Sequence, residues 1–216
     1  FTVKVNYPEI FLNYGEGVDT GYRKATTQQG DVGYTVYSDG VLKHHLSGEL
    51  KSEKIANLPA GYREGNMGLF SSTENFLIIG GGKDSGLEKG DFYIYDIAQG
   101  TWKKLPTIPG DNDGFQSVYE AQGGLIFEQG FRIDYMGEGT IFNRQAWFYS
   151  FADNGWTRLP DSVIERSVQT FSGENKLVCL AYMGETGEMG IYTKSLPYDS
   201  WKLVKVTEQY LGYYLL

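Results

Sequence analysis

Few side chains in this sequence could do chemistry, and their spacing decides what kind. The two histidines, His44 and His45, are adjacent. On an extended strand neighbours point to opposite faces, so the pair cannot share one metal or one proton relay. Neither stands beside a serine or cysteine in the arrangement a nucleophilic triad requires. The single cysteine, Cys179, lies in the apolar run Lys176-Leu-Val-Cys-Leu-Ala181 and reads as a small core residue. With one thiol no internal disulfide can form, and the redox compartment is left open. Asp111-Asn-Asp-Gly114 has the carboxylate spacing of a calcium loop, but the distant Glu that an EF-hand needs does not follow in register, so a solvated turn is expected. Glycoside hydrolysis needs two facing carboxylates. Glu120 is a lone acid among Gln116, Tyr119, Gln169 and Thr170. No catalytic residue, metal ligand or cofactor is therefore expected.

The elements that would position any site are strands. Glycine at 29 residues, 17 tyrosines and 15% aromatics favour many short strands with tight turns, and 216 residues suit one all-β domain. Phe76 to Ile79 is wholly apolar, as a strand buried on both faces must be. Gly80, Gly81 and Gly82 then let the chain leave at positive φ and approach a neighbour closely. Phe92-Tyr-Ile-Tyr-Asp96 suits a pleated, half-buried surface, and Ala98-Gln-Gly100 supplies the turn into an outer strand from Trp102 to Pro106. The bulk of Trp102 is expected to plug the space between adjacent sheets.

This order of parts recurs. Second-strand runs fall at residues 30–37, 74–80, 123–128 and 174–180, and third strands at 41–46, 92–97, 146–151 and 191–196. Outer strands open at Ile55, Trp102, Trp156 and Trp201, separated by 47, 54 and 45 residues. Within each unit a first strand precedes the second, as in Met67 to Thr73 and Phe115 to Glu120.

Residues 76–106 resemble one repeat of the kelch family, with the glycines after an apolar run, the aromatic pair Tyr93 and Tyr95, and Trp102 before Pro106. Kelch units run at about 50 residues and fold as blades of a propeller. The resemblance implies an all-β propeller of four-stranded antiparallel blades spanning 21–60, 61–107, 108–161 and 162–207. A fifth blade would be closed by pairing residues 208–216 with 1–20, leaving no open strand edge. The alternative is a fragment of a six- or seven-bladed ring. Ile55 would stand in for tryptophan in the first unit, and Glu128-Gln-Gly130 for the glycines in the third. Some kelch-like propellers hold a copper radical centre, but two histidine ligands and a tyrosine bonded to cysteine have no source in His44, His45 and Cys179.

In such blades the loops after the second and fourth strands share one face, where binding surfaces gather on a rigid scaffold. The loop 129–144 is the longest, and its Phe131, Arg132, Asp134 and Tyr135 are of the types that anchor interfaces. It could equally be a hairpin folded over the neighbouring blade. Tyr62 and Arg63, Asp84, Asp111 and Asp113 on neighbouring loops complete the candidate binding set. Their acidity favours a basic protein or peptide partner.

The expected function is thus a non-catalytic protein-interaction module, monomeric and acting through its loop face. A lectin-like propeller binding glycans is the alternative, and a glycan-active enzyme comes third. The unequal loops favour one asymmetric protein site over repeated sugar sites. A net charge of -8 argues against nucleic acid, whose phosphates need clustered Lys and Arg. No apolar stretch approaches the roughly 20 residues of a membrane helix. No Asn-x-Ser/Thr sequon occurs. The opening Phe1 points to an upstream signal peptide, a preceding domain or a chosen boundary.

Overall fold

The computed structural model describes residues 25–37, 40–48, 51–60, 62, 69–80, 91–109, 115–129, 131–134, 139–142, 144–164, 166–173, 176–183, 188–195 and 199–207. Among them there is no helix. The chain forms four antiparallel four-stranded sheets and one separate two-stranded ribbon. The first sheet runs β1 (Ala25–Gln29), β2 (Val32–Tyr37), β3 (Gly40–His45) and β4 (Lys51–Ala56) in chain order. The second runs β5 (Leu69–Ser72), β6 (Phe76–Gly80), β7 (Phe92–Asp96) and β8 (Thr101–Lys104). The third takes β9 (Phe115–Ala121), β10 (Gly124–Gln129), β13 (Ala146–Ser150) and β14 (Gly155–Leu159). Between β10 and β13 the ribbon of β11 (Phe131–Asp134) and β12 (Gly139–Phe142) interrupts the meander. The fourth runs β15 (Arg166–Gly173), β16 (Lys176–Met183), β17 (Glu188–Ser195) and β18 (Lys202–Thr207). The segments expected to close a fifth sheet, 1–20 and 208–216, lie outside the described residues.

Each sheet packs face to face on the next. Leu77, Ile78 and Ile79 on β6 are fully buried, and their alternation explains how. Leu77 and Ile79 face the first sheet, in one cluster with Val36 and Val41. Ile78 faces the third sheet, in a cluster with Leu125, Phe127 and Tyr149. On β10, Ile126 joins Leu177, Cys179 and Trp201 of the fourth sheet. A run apolar at every position is thus required of a strand with sheets on both sides.

The tryptophans seal these joints. Trp102 packs at 5.2 Å from the Tyr95 ring, and its Nε1 donates to the Asn57 carbonyl at the end of the first sheet, 2.8 Å away. Trp156 repeats the arrangement one sheet later, 5.2 Å from Tyr149 and donating to the Pro106 carbonyl at 2.7 Å. An aromatic plug is thereby placed in the core without stranding its one polar group.

Two local readings change. Ile55 is not the counterpart of these tryptophans: a bulge between Val41 and Leu42 leaves it out of the pairing, and it is exposed. Register sets Ser52 opposite His44, as Trp102 stands opposite Tyr95. Gly80 stays within β6 paired with Phe92 instead of turning at positive φ; a Cβ there would strike the Phe92 ring and the Asp91 carbonyl, so close approach is what demands glycine. The long third loop, read as an interface loop or a hairpin, forms the ribbon β11–β12, with Phe131 opposite Phe142 and Arg132 opposite Ile141.

The outer strands explain where the cations went. Lys51, Lys54, Lys103, Lys104, Arg158, Lys202 and Lys205 lie on β4, β8, β14 and β18, against one acid, Glu53. All seven are exposed. Charge along an outer strand discourages edge-to-edge association.

Replacing Trp156 by Ala is expected to cost about 3–5 kcal/mol in urea unfolding. Trp156→Phe should cost less, keeping most of the ring contact and losing a hydrogen bond of about 1 kcal/mol. Equal losses in the two variants would mean that ring packing contributes little to the joint.

Candidate functional site

The meander sends second and outer strands toward the same end of each sheet, and the structure pins their exits together there. In the second sheet the Leu105 amide donates to the Phe92 carbonyl at 2.9 Å. Beside them the buried Asp91 carboxylate accepts from Lys104 Nζ and from Thr107 Oγ1, each at 2.6 Å. Asp91 thus binds the base of the loop after β6 to the chain leaving β8. In the third sheet the Ser162 amide donates to the Arg144 carbonyl at 2.7 Å, joining the segment after β14 to the base of the ribbon-bearing loop. Arg158 lies 5.5 Å from the Trp147 ring and donates to the Ala146 and Leu159 carbonyls and to Asp161. Loops emerging here stand on fixed footings.

The opposite end is held differently. Gln29 Nε2 donates to the Glu74 carbonyl at 2.8 Å, and Asn75 Nδ2 donates to Glu120 Oε1 at 2.7 Å. These residues sit at the hairpins joining first and second strands of the first three sheets. They tie one sheet to the next, so Glu120, the lone acid weighed for glycan chemistry, is engaged in a clasp between sheets.

Of the candidate binding residues, Tyr62 is described in full. Its ring packs against the core between the first and second sheets, and its amide donates to the Pro59 carbonyl at 3.1 Å. Tyr62 therefore seals a joint at the loop end. Phe131, Arg132 and Asp134 lie together on β11 of the ribbon. Arg63, Asp84, Asp111, Asp113 and Tyr135 fall outside the described residues. Asp91, the residue before β7, carries no signal of its own in the sequence; its partners Lys104 and Thr107 are not brought to it by a linear reading.

Two titratable groups are shifted inside the sheets. Burial holds the His44 imidazole below its ordinary value of 6.5. Its Nδ1 lies 2.7 Å from Ser52 Oγ and its Nε2 3.1 Å from Thr35 Oγ1, which in turn is 3.3 Å from Thr26 Oγ1. This polar chain crosses the first sheet from β4 to β1. Burial, with a smaller contribution from Tyr34, raises the Tyr95 phenol. Both groups are buried within the sheets. Among the described residues no group of three or more His, Cys, Asp and Glu could hold a metal.

No family model matches the chain, and no curated protein does. The fold has solved counterparts. One, titled "Structure of YjhT", superposes with a TM-score of 0.60 over 86% of this chain at 13% identity. The chain spans 65% of that structure's length. The similarity is one of fold.

Asp91→Ala should destabilise by about 1–3 kcal/mol in urea unfolding, because Thr107 and Lys104 lose a buried acceptor; an unchanged midpoint would show that the footing is not held there. His44 gives a pH test. Its folded value is depressed, so its stabilising effect is complete above the unfolded value and declines as pH falls through the folded one. The stability of the wild type relative to His44→Gln should therefore shrink between about pH 7 and about pH 5. A difference constant over that range would mean that the ring is not buried neutral.

Proposed function

We propose that the four sheets are blades of a kelch-like β-propeller and that the protein is a non-catalytic interaction module binding a protein or peptide through its loop end. Face-to-face packing in chain order supports the ring, as do adjacent first strands β1, β5 and β9. The observation that carries the function is the contrast between the ends. One end is clasped sheet to sheet by short hairpins. The other raises unequal connections, including the ribbon β11–β12, from pinned footings. A fixed platform presenting one irregular projection suits a single asymmetric partner.

The acidic loop residues Asp84, Asp111, Asp113 and Asp134 favour a basic partner, and the propeller is read as a monomer. Sugar stacking needs open aromatic faces. Among the residues whose burial is described, no Trp, Tyr or Phe is exposed.

Ring closure by residues 1–20 and 208–216 belongs to the same reading. Its support is the first sheet's outward face, where Thr35 and His44 are 1% and 2% exposed and the buried Leu42 belongs to none of the apolar clusters that join described sheets. Deleting residues 209–216 should then move the His44 titration, followed by NMR, toward the ordinary imidazole value. An unmoved titration would remove the closure.

The binding reading is tested by selecting a displayed random-peptide library against the purified protein. Enrichment of Lys- and Arg-rich peptides is expected, with affinity falling roughly tenfold in Phe131→Ala/Arg132→Ala. Acidic or no enrichment, or a glycan-array signal that survives the double substitution, would overturn it.

A further inference from the structure

The repeat sets one position of each sheet against one position of the next, and the third joint breaks the pattern at both. Cross-strand register identifies the positions. Leu77 pairs with Tyr95, Leu125 with Tyr149 and Leu177 with Lys194. Lys194 thus stands where the two preceding sheets carry tyrosine. Where those tyrosines pack on Trp102 and Trp156, the Lys194 ammonium lies 5.7 Å from the centre of the Trp201 ring.

The facing position changes in step. Three residues beyond Leu77 comes Gly80, paired with Phe92, whose ring occupies the space a Cβ would need. Three beyond Leu125 comes Glu128, paired with Ala146, whose methyl leaves room for a long side chain. The Glu128 carboxylate reaches into the fourth sheet. Lys194 Nζ donates to its Oε1, and Trp201 Nε1 lies 3.1 and 2.9 Å from the two oxygens. The indole N–H that elsewhere meets a main-chain carbonyl here meets a charged side chain. Glu128 and Lys194 are 4% and 2% exposed.

Stability alone does not account for this exchange, because a buried ion pair contributes little beyond well-packed apolar groups of the same shape. Mispairing is where it matters. Against the Val36 and Val41 face of the first sheet, or against Gly80 and Phe92 of the second, Lys194 would be buried without a counterion. Glu128 placed against Tyr95 or Tyr149 would meet a phenol where the fourth sheet offers the Lys194 ammonium. Four sheets of one pattern are prone to pack out of order or to exchange between molecules. We propose that Glu128 and Lys194, with Trp201, form a charge key that admits the fourth sheet only onto the third and so fixes the order of assembly. A buried polar group that sets register in coiled coils acts on the same principle.

The test uses the full chain. Glu128→Met/Lys194→Met keeps side-chain length and removes both charges. It is refolded from denaturant at rising protein concentration, and the products are sized by gel filtration with light scattering. The expected result is a urea midpoint lowered only by the loss of the Trp201 acceptor, with a severalfold rise in misassembled oligomer. Recovery of wild-type-sized protein at the wild-type yield would overturn the proposal. Should the apolar pair not fold, charge reversal decides. Glu128→Lys and Lys194→Glu should each lose wild-type-sized protein and the combined variant regain it; a combined variant no better than the singles would overturn the proposal.

Discussion

Every described sheet after the first has to bury the face it turns to its predecessor, and tryptophan at the start of the outer strand is the side chain that closes that gap. A large ring alone would leave its N–H dehydrated at a cost comparable to a lost hydrogen bond. Trp102 and Trp156 avoid this by donating to Asn57 and Pro106, carbonyls at the end of the preceding sheet. Packing and polar satisfaction are thus met by one contact. It recurs because each sheet ends where the next one needs an acceptor.

From that joint follow the rest of the choices. Second strands are apolar at every position because a sheet lies on each side, as Leu77, Ile78 and Ile79 illustrate. Polar groups are pushed to the ends and the rim. At the hairpin end Gln29, Asn75 and Glu120 link neighbouring sheets through side-chain hydrogen bonds. At the loop end Asp91, Lys104 and Thr107 hold strand exits together. Outer strands carry lysines into solvent, which accounts for basic residues on a chain whose net charge is -8. The loop end therefore combines hydrogen-bonded footings with connections of unequal length.

The first and fourth sheets depart from the pattern in instructive ways. In the first, His44 and Ser52 occupy the cross-strand positions held by Tyr95 and Trp102, and a chain of hydroxyls replaces the aromatic plug. In the fourth, Lys194 replaces the tyrosine while Trp201 is kept, and its partner Glu128 comes from another sheet. Both departures bury polar groups that are hydrogen-bonded, which is the condition for polar residues inside a core.

Strand existence and order were readable from the chain because each relies on local chemistry: apolar runs, alternating aromatics, turn residues and recurring Trp with Leu-Pro. The runs at 74–80, 123–128 and 174–180 carry the second strands β6, β10 and β16. The first outer strand was misplaced toward Pro59, because Lys51-Ser-Glu-Lys54 is polar on both faces and carries no alternation to see; its place is set by pairing with β3. Spacing alone makes Ile55 a tryptophan substitute, whereas a bulge leaves it unpaired and exposed. The sequence by itself determined an all-β chain of four repeated units. Only the tertiary structure decided which residues face each other across the joints, making Glu128 the partner of Lys194, Asp91 of Thr107 and Asn75 of Glu120, because contacts between strands 16 to 66 residues apart depend on sheet register and stacking that no local pattern encodes.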